Sequence, residues 1–177
     1  MKLGVNNSKG ALSTKITILL MAVIFIFSGC TVKSAINKFE NYKASHDQKL
    51  IEANDKLDEL GVIFEDEDLV LLQEKIDTLR PEIESALSDI KKAANAVRGL
   101  KNRLYLQQFG TMIVQAEEQY LAALDKYEEA IEAINNDEFI LAGDLGDEAA
   151  DIIAESRSMI GQAGEIQRNH AEEFVAE

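Results

Sequence analysis

Between Leu69 and Leu104, alternating steps of three and four residues land on Leu69, Leu72, Ile76, Leu79, Ile83, Ala86, Ile90, Ala93, Val97, Leu100 and Leu104, all of them apolar. That spacing is the buried seam of a long α-helix packed against partner helices, and a strand cannot produce it. The rest of the chain must then supply helices to cover the seam. Ile36, Phe39, Lys43, His46, Leu50, Ala53, Leu57 and Leu60 form one stripe before it, with Gly61 as a natural stop. Leu106, Phe109, Ile113, Ala116, Tyr120, Ala123, Tyr127, Ala130 and Ile134 form a second. After the turn Asn135-Asn136-Asp137, a third stripe runs from Ala142 to His170. The expected fold is all-α, a long antiparallel bundle of four helices of roughly 30 to 36 residues with a kink at the outward-facing Pro81.

The phase of the stripes locates the middle reversal. The stripe that begins at Leu106 starts two residues after Leu104, a rotation of about 200° on a helix. A chain reversal around Arg98 to Arg103, with Gly99 as C-cap and Asn102 as N-cap, accounts for the slip, and Gly110 is the rival break. The passage Leu124 to Ile153 resembles a single helical hairpin of the tetratricopeptide type, with Tyr127, Ala130, Phe139 and Ala142 in matching places. No period of about 34 residues repeats, so no peptide groove is carried over.

The first thirty residues are a separate object. Lys2, Lys9 and Lys15 precede an uncharged apolar run from Ile16 to Phe27, which is too short for a spanning helix and suits a signal-peptide core. The ending Phe27-Ser28-Gly29-Cys30 resembles the lipobox of bacterial lipoproteins, with Phe27 where leucine is usual, and Cys30 is the only cysteine. The resemblance implies that residues 1–29 are a cleaved signal peptide and that Cys30 carries palmitate-type acyl chains. Residues 30–35 would then be the anchor and a short tether, and residues 36–177 the bundle domain. The protein would face outside the cytoplasm in the cell envelope, and Thr31 after the cysteine allows an outer-membrane destination where two membranes exist.

Charge narrows the partners. The chain has 18 basic and 32 acidic residues; without the three leader lysines, 15 oppose 32, a net charge of −17. Such a balance excludes nucleic acid as a partner. A hydrophobic content of 46% still provides a packed core, which separates this chain from acidic disordered ones.

Catalytic patterns are missing. A di-iron bundle needs Glu-x-x-His, and neither His46 nor His170 has a glutamate three residues before it. A cysteine or serine nucleophile needs a paired histidine base, and the single cysteine is assigned to lipid. No enzyme activity, cofactor or metal is expected. His46 reads as a hydrogen-bonded seam histidine, and Lys43 as a stem along the core with a wet amine. Glu65, Asp66, Glu67 and Asp68 suit the dipole of the following helix, and with Asp137 and Glu138 they gather at one end as a candidate contact for a partner or cation. Arg98, Lys101 and Arg103 gather at the other end, as a candidate membrane-proximal basic turn. The expected function is a structural or adaptor lipoprotein presenting an acidic bundle to a protein or cell-wall partner. The alternative is a small-ligand or cation-binding module with its site between helices or at the acidic tip.

Overall fold

A computed structural model describes residues 9–176, with side chains described from Thr31 onward. Residues 1–29, expected to be a signal peptide, and Cys30 lie outside the residues whose side chains are described. Four long helices account for the fold: α1 (Lys9–Glu65), α2 (Leu69–Val97), α3 (Leu104–Asn135) and α4 (Phe139–Asn169), followed by a 3₁₀ turn (Ala171–Phe174). Each packs on the next in sequence, and α1 touches α4 only along a short stretch. The seam residues Leu72, Ile76, Leu79, Ile83, Ala86, Ile90, Ala93 and Val97 are buried as their spacing requires. Leu104, in the first turn of α3, is 66% exposed and leaves the seam.

The turns correct several boundaries. Gly61 does not end α1, which continues to Glu65; its α-carbon faces the Tyr127 hydroxyl instead. Residues 31–35 are helical, which shortens the expected extended tether to about 8 Å at ~1.5 Å per residue. Pro81 is exposed inside an unbroken α2. The reversal falls at residues 98–103 and Gly110 lies buried inside α3, but the caps are Arg98 and Arg103, not Gly99 and Asn102. Gly99 does not adopt the left-handed conformation that would have made it the expected C-cap. Backbone bonds from Leu100 to Val97 and from Arg103 to Leu100 close this turn with right-handed residues.

The opposite end is built differently, and twice in the same way. Glu67 (φ 57°) and Asp137 (φ 62°) are the left-handed residues, 70 positions apart. Glu67 N–H donates to Phe64 O and Asp68 N–H to Ile63 O; Asp137 N–H donates to Ile134 O and Glu138 N–H to Ala133 O. Both are Schellman turns, the hydrogen-bonded helix stop that normally recruits glycine. Glutamate and aspartate there cost on the order of 1 kcal/mol each.

The 70-residue offset extends through both hairpins. Ile36, Phe39, Leu50, Ala53, Leu57, Leu60 and Ile63 on α1 are buried, and so are Leu106, Phe109, Tyr120, Ala123, Tyr127, Ala130 and Ala133 on α3. Leu72, Ile76, Leu79, Ile83 and Ala86 on α2 correspond likewise to the buried Ala142, Gly146, Ala149, Ile153 and Ser156 on α4. The bundle is thus two copies of one helical hairpin. Corresponding residues meet: the Phe39 and Phe109 rings stand edge to face at 6.0 Å, and both contact Phe174.

Candidate functional site

Three polar regions lie along the rod: the tip with its two Schellman turns, a belt at mid-height, and the base around residues 98–103. The belt divides the apolar interior. Leu50 to Ile83, Tyr120 to Tyr127, Ala149 and Ile153 form the core on the tip side; Ile36, Phe39, Leu87 to Val97, Leu106 to Ile113, Ala163 and Phe174 form the core on the base side. Among the described residues the buried polar side chains are His46, Asp89, Glu117 and Ser156, one from each helix.

His46 is the centre of the belt. Its Nε2 donates to Glu117 Oε1 at 3.0 Å across the bundle, and its Nδ1 to Asp47 Oδ1 at 3.1 Å. Asp47 and Glu117 are equivalent positions of the two hairpins, so one imidazolium holds two carboxylates that would otherwise repel. Ala116, equivalent to His46, leaves the room. Burial pulls the histidine pKa down, but the hydrogen bonds and charges of Asp47 and Glu117 outweigh it, and the net displacement is upward from 6.5. Burial likewise pushes Asp47 up, and its bonds to His46 and Lys43 bring it below 3.8. Glu117 Oε2 is buried without a hydrogen-bond partner. Beside this pair, Asp89 accepts from Lys49 at 2.5 Å, Ser45 at 2.8 Å and Lys92 at 3.0 Å, which hold its carboxyl at about 2. Apart from Glu117 Oε2, the hydrogen bonds of these groups are satisfied within the belt, while Ser156 Oγ bonds Gln119 Oε1 and Ile152 O.

At the tip, the structure brings together all six acidic residues singled out from the sequence. Glu65, Asp66, Glu67 and Asp68 form one turn, and Asp137 and Glu138 the other. A groove between the turns is lined by Phe64, Glu65, Glu67, Leu69, Ile134 and Phe139. Asp68 caps α2 by accepting from Leu71 N–H at 3.1 Å. Among the described residues no basic side chain makes an ion pair with any of the six, and no three His, Cys, Asp or Glu side chains are placed to hold a metal ion. The exposed apolar residues of the tip were not anticipated. Leu69-Val70-Leu71 and Phe139-Ile140-Leu141 occupy equivalent first turns, with Val70 81% and Ile140 85% exposed.

The base collects Arg98, Lys101 and Arg103 beside the first described side chains, where Val32 packs on the same core as Leu100. Its charge is partly covered. Arg103 Nη1 donates to the Glu172 carbonyl at 2.6 Å, and Glu173 Oε2 accepts the Tyr105 and Leu106 N–H groups at 2.9 and 3.2 Å, capping α3. The His170 ring stacks on Tyr105. Glu117 and the apolar triplets escaped notice because their importance comes from the hairpin duplication, which an alignment of the two seams at a 70-residue offset would have revealed. Compared with known proteins, the chain matches no family model, no curated protein and no solved structure.

Proposed function

We propose that this protein is an extracytoplasmic lipoprotein, anchored through acylated Cys30, whose rigid helical bundle serves as a non-enzymatic adaptor for a protein or cell-wall partner in the envelope. The observation that carries the reading is polarity along the rod. The chain enters the bundle at the base, where Val32 packs on the same core as Leu100, and the six clustered carboxylates of Glu65 to Asp68, Asp137 and Glu138 lie at the opposite end. A lipid at Cys30 would hold the base against the membrane and present the tip outward, because an acidic end is repelled by anionic headgroups. The buried titratable groups of the belt are engaged in packing the bundle, which favours a structural role over catalysis.

Expression of wild type and Cys30→Ala in a bacterial host, followed by mass spectrometry, tests the anchor. Wild type should be cleaved before Cys30 and carry an acyl mass increment, and the variant should remain an uncleaved precursor. An unacylated wild-type product would overturn the lipoprotein reading.

A further inference from the structure

We infer that the tip is a docking site for a cationic segment of another protein that seats apolar side chains between the two hairpin turns. The inference rests on the adaptor reading and names the partner's chemistry. Exposed large apolar side chains are individually ordinary, but here they recur at two equivalent positions of both hairpins, Val70 with Ile140 and Leu71 with Leu141. Phe139 is 64% and Leu141 47% exposed beside Ile140, and Val70 and Leu71 face solvent on the other hairpin. Apolar side chains from both turns, Phe64, Leu69, Ile134 and Phe139, line one groove, and an exposed apolar patch rimmed by polar residues is a usual mark of a protein-binding face.

Charge selects the occupant. Glu65, Asp66, Glu67, Asp137 and Glu138 make no ion pair among the described residues, while most basic side chains along the rod are already paired, Lys75 with Glu59 and Arg157 with Asp58 among them. A second copy of the chain would bring the same carboxylates face to face, and an anionic bilayer would meet them with like charge. Lysine or arginine interspersed with leucine or phenylalanine satisfies both halves of the surface. The groove between the turns, lined by Phe64 and Leu69 together with Glu65 and Glu67, gives such side chains a place to enter.

The test uses the full chain in phosphatidylcholine nanodiscs, with empty discs subtracted, titrated with a twelve-residue peptide alternating lysine and leucine, its Lys→Glu version and its Leu→Ser version. The lysine–leucine peptide should bind at least tenfold more tightly than either control, and more weakly as salt rises. Hydrogen exchange should slow at residues 64–72 and 137–143. Phe139→Ser with Ile140→Ser, both exposed and therefore compatible with folding, should weaken binding at least tenfold, as should Glu65→Lys with Glu67→Lys. Undiminished binding by these variants, or protection confined to another face, would overturn the site. So would tip-dependent dimerisation in sedimentation, or tip-dependent binding to anionic vesicles. Failure here leaves the acylation result untouched, so the docking site can fall while the anchored bundle stands.

Discussion

The two hairpins share a frame but fill it with opposite side chains. On α1/α2 the seam is built from Leu57, Leu60, Ile63, Leu72, Ile76 and Leu79; at equivalent positions α3/α4 has Tyr127, Ala130, Ala133, Ala142, Gly146 and Ala149. At five of these six pairs a large residue of the first half corresponds to a small one of the second, Leu57 and Tyr127 being the exception, and the Phe64 ring lies over Gly146. A duplicated backbone can therefore diverge in sequence as long as the volume lost on one side is gained on the other.

The same substitution at equivalent positions should separate the halves most strongly. Ile90 is fully buried, whereas Ile160 is partly exposed. Ile90→Asp should cost about 4 kcal/mol or more in urea unfolding, and Ile160→Asp only about 1 to 2 kcal/mol. Equal losses would mean that the halves bury these positions alike in solution.

His46 should come next. His46→Ala leaves Glu117 charged and unpaired in the interior, an expected loss of about 3–5 kcal/mol. Replacing both residues by leucine should restore stability to within about 1 kcal/mol of wild type. A histidine with a raised folded pKa stabilises most below its unfolded value of 6.5 and loses that contribution as pH rises through the folded value. Wild-type stability should consequently decline above pH 6.5, and the double-leucine variant should lack this decline. Asp47 and Asp89 are displaced downward, so their contributions disappear as pH falls below 3.8, toward about 2 for Asp89.

A smaller effect is expected where the halves touch. Alanine at Gly146 would set a β-carbon 2.2 Å from Phe64 Cε1, so the ring must move. Gly146→Ala should cost about 1 kcal/mol after its helix-propensity gain is included, and become stabilising by about 1 kcal/mol in a Phe64→Ala background. Thermal unfolding of the two singles and the double completes the cycle. Smallest of all, Pro81→Ala on the exposed face of α2 should change stability by less than about 1 kcal/mol.

The buried stripes were legible in the sequence because helical periodicity is local: Leu72 to Val97 can be read without knowing any partner. The stops were harder. Gly61 advertised a cap it does not form, and the residues that turn the chain are Glu67 and Asp137, whose type gives no warning of a left-handed backbone. Of the six tip acids, the sequence supplied every name and the topology brought the two turns together. The belt was half legible, since His46 stands on a seam, but Glu117 is 71 positions away and lies beside the expected stripe. No spacing rule within one helix could pair them.

The aromatic trio of the base has a consequence for how the protein comes into being. Phe39 belongs to α1 and Phe174 to the 3₁₀ turn after α4, 135 positions later, yet their ring centroids are 6.1 Å apart. A nascent chain can fold α1 against α2 as soon as both emerge, but this contact waits for the segment after α4, which also supplies the cap on α3. The base can close only once residues 173 and 174 have been made, so a chain cut before them would keep its first hairpin and lack both the Phe174 contact and the Glu173 cap.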